Sequence, residues 1–261
     1  MQDQQVKIDG LNVYYRTAGD PKNPALVLLN GWGAKVRGSF PNSAKVIKEF
    51  ARHNFYVISP EHPGLMRSET PKAIWGPMWY VGYVEEFVEK LGLQSFILVG
   101  QSFGGAIATA YAAEHSEKVK TLVLVNAGLT RDKAYRFVFR HFTLATHIAG
   151  MLRSEYVPVF FKKIIVWLGL GGPWDYIEKE SFRKRAIMGD IFRRWSLPNV
   201  YSQIRARTIL IWGSNDALFP LSSAREVEKE IPSAKLYTIF GGHSVLYARP
   251  KEVVNLIVNK L

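Results

Sequence analysis

The chain has 261 residues, 48% of them hydrophobic and 21% charged, and its 34 Lys and Arg against 22 Asp and Glu give a formal charge of +12. That length holds one large domain with room for an inserted subdomain, and the apolar content excludes a disordered or fibrous chain. The absence of cysteine excludes disulfides, thiolate metal sites, iron–sulfur clusters and a cysteine nucleophile.

The opening residues, Met1-Gln2-Asp3-Gln4-Gln5, lack the basic and apolar regions of a secretory signal. No stretch reaches the ~18 uncharged apolar residues that cross a bilayer. The nearest, from Tyr156 to Leu170, is interrupted by Pro158, Lys162 and Lys163. The expectation is a soluble, cytoplasmic protein.

Val6–Ile8 and Leu11–Tyr15 flank Asp9-Gly10, a dipeptide whose two residues accept positive φ. This predicts an antiparallel hairpin at a sheet edge. Short runs rich in Val, Ile and Leu follow at Ala25–Leu29, Phe55–Ile58, Phe96–Val99, Thr121–Val125, Thr208–Trp212 and Lys235–Ile239. Each has the length of a parallel strand buried on both faces. Helical segments lie between them. Tyr80, Val84, Phe87, Val88 and Leu91 share one face, an Ala-rich helix runs from Phe103 to about His115, and a last one spans Pro250 to Leu261. The alternation predicts an α/β fold with a mostly parallel sheet.

The alternation breaks from 129 to 200. This segment holds aromatic and basic residues with helical tendency, and thirteen Lys and Arg against six Asp and Glu give it +7 of the total charge. Gly169-Leu170-Gly171-Gly172-Pro173 divides it in two. It reads as a helical insertion into a core formed by 1–128 and 201–261.

The sharpest chemical signal is Gly100-Gln101-Ser102-Phe103-Gly104-Gly105, between the strand Phe96–Val99 and the Ala-rich helix. This is the G-x-S-x-G pattern in its strand–turn–helix context. The turn is so tight that only small residues fit two places either side of the serine. It lifts the Ser102 hydroxyl over the sheet edge at a helix N-terminus, where negative charge is favoured. A serine needs a base, and among the histidines His243, in Phe240-Gly241-Gly242-His243-Ser244, follows the last strand. The base needs an acid to hold it, and Asp216, in Trp212-Gly213-Ser214-Asn215-Asp216, follows the strand before. Taken singly, Ser102 could cap a helix, Asp216 could make an Asx-turn and His243 could be a solvated loop residue. Together they lie at strand C-termini in the order Ser…Asp…His. Asn30-Gly31-Trp32-Gly33 follows the first parallel strand, and its glycines let a backbone N–H turn towards the serine. The N–H groups of Trp32 and Phe103 are the candidate oxyanion donors, each worth about 3 kcal/mol in a transition state. Trp32 and Phe103 are also the aromatic residues best placed to contact substrate.

With Glu61-His62-Pro63-Gly64-Leu65-Met66-Arg67-Ser68, these motifs make the sequence from Val6 to Leu261 resemble the α/β-hydrolase superfamily. The resemblance implies a cofactor-free hydrolase with an acyl-serine intermediate and a lid formed by the insertion. Ser102 would be the nucleophile, His243 the general base and then acid, and Asp216 the orienter of His243. Asn30 and Gln101 depart from the histidines that many members carry there. A serine at 102 argues against dehalogenases and epoxide hydrolases of this fold, which use aspartate. Ser244 stands where members that cleave carbon–carbon bonds often carry Trp, so carboxylic ester hydrolysis is the favoured expectation. Meta-cleavage-type C–C hydrolysis and a silent ligand-binding protein are the alternatives.

The charge has three readings: a solvated surface, attraction to an anionic or lipid-like ester, and nucleic-acid binding. No nucleic-acid motif accompanies it, so no specific nucleic acid is expected. Phe160, Phe161 and Ile164–Leu168, interleaved with Lys162 and Lys163, suit peripheral contact with a membrane surface.

Overall fold

The structure, a computed structural model, describes residues 1–31, 41–64, 67–71, 76–128 and 199–261. Among these, the strands β1 (Gln2–Ile8), β2 (Leu11–Ala18), β3 (Ala25–Leu29), β4 (Tyr56–Pro60), β5 (Phe96–Gln101), β6 (Val119–Val125), β7 (Arg207–Gly213) and β8 (Ala234–Ile239) form one sheet. Its order is β1-β2-β4-β3-β5-β6-β7-β8. The β1–β2 and β2–β4 pairs are antiparallel and the rest are parallel.

The edge hairpin turns at Asp9 (φ 47°) and Gly10 (φ 75°), the two left-handed residues that its geometry requires. Its strands run further than the apolar pattern predicts, to Gln2 and Ala18. Polar pairing extends them: Gln2 sits opposite Thr17 and Asp3 opposite Arg16, and the Arg16–Asp3 ion pair is 2.8 Å long.

The central strands are buried on both faces, as runs without alternation require. Successive residues feed opposite layers. Val27, Leu29, Leu98, Leu122, Leu124 and Leu210 pack with helices α2 (Pro77–Lys90), α3 (Phe103–Glu114) and α4 (Leu221–Glu230). Leu26, Leu28, Val99, Val123, Val125 and Ile211 pack with α1 (Pro41–Arg52), α5 (Val245–Ala248) and α6 (Pro250–Val258).

Two helices lie outside the elements predicted from the sequence. The α1 helix buries Val46, Ile47 and Phe50 among charged neighbours, and α4 buries only Ser223, Ala224 and Val227. The last helix ends at Val258 rather than Leu261. The expected lid, 129–200, lies outside the described residues except for Asn199 and Val200. No helix among the described residues is long and apolar enough to cross a membrane.

Candidate active site

The parallel strands end on one edge of the sheet, and the polar side chains of interest follow those ends. Asn30 follows β3, Ser102 follows β5, Asn126 follows β6, Asp216 lies three residues past β7 and His243 four past β8. Loops at the strand C-termini are where such sheets converge their ligand-binding groups.

Ser102 adopts φ 52° and ψ −117° between β5 and α3. A non-glycine residue there is strained, and its neighbours hold it in place. Its N–H donates to Val125 O at 3.2 Å, and its carbonyl accepts from Gly128 N at 2.8 Å and Ala106 N at 3.1 Å. The surrounding glycines are obligatory by contact. A Cβ on Gly100 would lie 2.6 Å from Gly104 O, one on Gly104 2.1 Å from Leu29 O, and one on Gly105 2.5 Å from Ala127 Cβ.

His243 spans the gap between hydroxyl and carboxylate. Its Nε2 lies 2.9 Å from Ser102 Oγ and its Nδ1 3.0 Å from Asp216 Oδ2. A carboxylate only accepts, so Nδ1 carries the proton and Nε2 faces the hydroxyl with its lone pair. The Asp216 side chain is fully buried. Its Oδ1 accepts from the N–H groups of Leu218 (2.8 Å) and Phe219 (3.0 Å), and its Oδ2 also accepts from Asn126 Nδ2 at 2.6 Å. Burial pushes the carboxyl pKa up, but the bonds from His243, Phe219 and Asn126 outweigh it and hold it below the usual range. The Phe219 ring lies 5.2 Å from the imidazole and covers one side of it.

Phe103 follows Ser102 at the first position of α3. Its ring is fully buried, edge-on to His62 and Tyr80 at 5.8 and 5.1 Å. The ring thus packs into the core beneath the nucleophile turn. Trp32, the other candidate oxyanion donor and substrate contact, lies outside the described residues. Gly31, just before it, is described, and a Cβ placed there would come within 3.0 Å of Ser102 Cβ.

The two departures noted in the sequence are both engaged. Asn30 Nδ2 donates to Ser59 Oγ at 2.8 Å, and Gln101 Nε2 donates to His243 O at 3.2 Å. Sequence reasoning missed Asn126, Phe219 and Tyr247. Asn126 had one signal, a polar residue ending an apolar strand, and in the structure it takes φ 44°. His62 was legible only as part of a motif. It is buried, its Nε2 donates to Asn30 O at 3.0 Å, and desolvation lowers its pKa to about 4.

Comparison with known proteins agrees with this architecture. A family model described as the alpha/beta hydrolase fold matches residues 24–149. Monoacylglycerol lipase ABHD6 of Bos taurus is 28% identical over the whole chain and 82% of that protein. A 2-hydroxy-6-oxononadienedioate/2-hydroxy-6-oxononatrienedioate hydrolase of Comamonas testosteroni is 21% identical over 88% of the chain and 84% of that protein. Among solved structures, a bacterial membrane phospholipase A superposes with a TM-score of 0.77 at 22% identity, covering 98% of this chain and 84% of that one. At that identity the superposition speaks for the fold alone.

Proposed function

We propose that the chain, which has the α/β-hydrolase fold and matches that family's model over residues 24–149, is a serine hydrolase cleaving carboxylic esters through an acyl-serine intermediate. The observation that carries this reading is the unbroken line from Ser102 Oγ through His243 to a buried, multiply bonded Asp216. A protein that only bound a ligand would have no need of a buried carboxylate aligned on a base.

In the proposed mechanism Ser102 Oγ attacks the ester carbonyl as His243 Nε2 takes its proton. The imidazolium, stabilised by Asp216, returns that proton to the departing alcohol. Water then attacks the acyl-serine with His243 again as base, and His243 returns that proton to Ser102 Oγ as the acid leaves. The negative charge on the carbonyl oxygen develops at the N-terminus of α3, and the Phe103 and Trp32 N–H groups are its proposed donors. Every step uses the protein's own groups.

The substrate class we infer is a small-molecule ester of lipid-like or anionic character. The net +7 between 129 and 200 and the similarity to a monoacylglycerol lipase support it. Peripheral membrane contact by that basic segment belongs to the same proposal. Co-sedimentation with neutral and anionic vesicles tests it, and equal binding to both would remove the role of charge. A p-nitrophenyl ester series of increasing acyl length tests the reaction and sizes the acyl site.

The similarity to the Comamonas hydrolase favours a second reading, C–C bond cleavage of a vinylogous diketone acid. Turnover of such a substrate, with simple esters ignored, would select it.

A further inference from the structure

Outside the line from Ser102 to Asp216, a second group of polar side chains converges on Asn30 and Gly31. Asn30 is buried at the end of β3. Its carbonyl accepts from His62 Nε2. Its side chain lies between Ser59 Oγ at 2.8 Å and the Tyr247 hydroxyl at 3.0 Å.

The direction of these bonds follows from proton counting. The Ser59 hydroxyl gives its one proton to Leu28 O at 3.1 Å, so towards Asn30 it can only accept. The amide therefore turns Nδ2 to Ser59 and Oδ1 to Tyr247. The Tyr247 hydroxyl donates to Oδ1, and its lone pair receives a longer bond, 3.4 Å, from the Gly31 N–H.

On its other side Gly31 abuts the nucleophile turn. A Cβ there would lie 2.1 Å from Gln101 Oε1, and Gln101 in turn donates to the His243 carbonyl. Tyr247 sits four residues after His243, in α5. One short segment thus carries both the imidazole and the hydroxyl that fixes the backbone beside Ser102.

We propose that Tyr247 is a positioning residue: through Asn30 and the Gly31 N–H it holds the backbone at the end of β3 against Ser102, in register with His243. This rests on the serine-hydrolase reading above. Its consequence falls on the transition state, because an oxyanion is stabilised by dipoles held in place before charge develops. A loosened β3 end leaves substrate binding nearly intact and slows acylation.

The test compares wild type, Tyr247→Phe, Asn30→Ala, their double variant and Ser102→Ala. The readouts are kcat and KM on a p-nitrophenyl ester and the inhibition constant of phenylboronic acid, which adds to a reactive serine as a tetrahedral adduct. Tyr247→Phe keeps the ring and removes only the hydroxyl. It is expected to lower kcat about tenfold or more with KM within about twofold, and to weaken the boronic acid by a similar factor. Asn30→Ala breaks the same bond from its other end, so a folding defect in one variant leaves the other to decide. The double variant should be no worse than the worse single one, as expected for two partners of one bond. A folded Tyr247→Phe with unchanged kcat and unchanged inhibition, while Ser102→Ala is dead, would reject the positioning role and leave the hydrolase reading standing. A folded wild type that neither turns over an ester nor binds the boronic acid would reject that reading, and this inference with it.

Discussion

Asn126 and His243 share one oxygen of Asp216: the Asn126 amide donates to Oδ2 at 2.6 Å and the imidazole lies 3.0 Å from the same atom. The carboxylate that orients the histidine is thus itself oriented from the end of a third strand, β6. The two backbone bonds to Oδ1 fix one end of the carboxylate, and Asn126 fixes the other.

Removing that amide should loosen the acid and raise its pKa. We expect Asn126→Gly, which tolerates the φ of 44°, to lower kcat about tenfold and to cost about 1–3 kcal/mol of stability. Asp216 has a depressed folded pKa, so its stabilising contribution is present above the unfolded value and is lost as pH falls through the folded one. In the variant that loss should be smaller and should end at a higher pH. Urea unfolding across the acid range measures it, and an unshifted acid limb would speak against the bond. Asn126→Ala should lose about 1 kcal/mol more from its left-handed backbone.

Asp216→Asn should disable the histidine without unfolding the protein. An amide at 216 would present a donor to His243 Nδ1 and favour the tautomer with its proton on Nε2, leaving no lone pair for Ser102. A fall of about 10³- to 10⁴-fold in kcat is expected, less than that of Ser102→Ala. Steady-state kinetics at fixed pH checks it, and a loss under tenfold would contradict the orienting role.

His62 gives the fold a separate acid sensitivity. Its ring faces the rings of Tyr80, Tyr83 and Phe103 and the carbonyl of Asn30, and its pKa is lowered from 6.5 to about 4. The unfolded chain takes up this proton near pH 6.5 and the folded chain only near pH 4. Stability is therefore full above about 6.5 and falls as pH drops towards 4, by up to about 3 kcal/mol. His62→Gln keeps a donor for Asn30 O and should flatten the stability curve across that window. Thermal unfolding at half-unit pH steps would show it, and parallel curves for the two proteins would refute it.

Two glycines make a paired steric test. Gly104→Ala would place a Cβ 2.1 Å from Leu29 O and 2.5 Å from Asn30 O, both backbone atoms that cannot swing away. It should cost about 3 kcal/mol or more. Gly82, on the exposed side of α2, has nothing within 4 Å of that position. Gly82→Ala should instead gain about 0.5–1 kcal/mol through helix propensity. Chemical denaturation of both variants decides, and equal effects would contradict the packing argument.

Much of this architecture was legible because its signals were local. The strands β3 to β7 announced themselves as apolar runs, since both of their faces are buried, and β8 was legible as a shorter run although Lys235 and Thr238 are exposed on it. The hairpin was legible in Asp9-Gly10, and the tight turn at Ser102 in its glycines. The ends of β1 and β2 were not, because polar pairs such as Asp3 with Arg16 extend them. Helix α4 was missed because Ala224 and Val227 alone make no clear stripe, whereas α1 carries one in Val46, Ile47 and Phe50, at i, i+1 and i+4, that went unread. In the site, Ser102, Asp216 and His243 could be named because each sits in a short motif past a strand. Asn126, Phe219 and Tyr247 could not, because what distinguishes them is contact across the sheet edge, and no spacing within one segment encodes such contact.

The most direct test of the central claim is ester hydrolysis by wild type and Ser102→Ala, both shown to be folded. Wild type is expected to turn over a p-nitrophenyl ester, and the variant to lose about 10⁵-fold or more in kcat. Undiminished turnover by Ser102→Ala would contradict it.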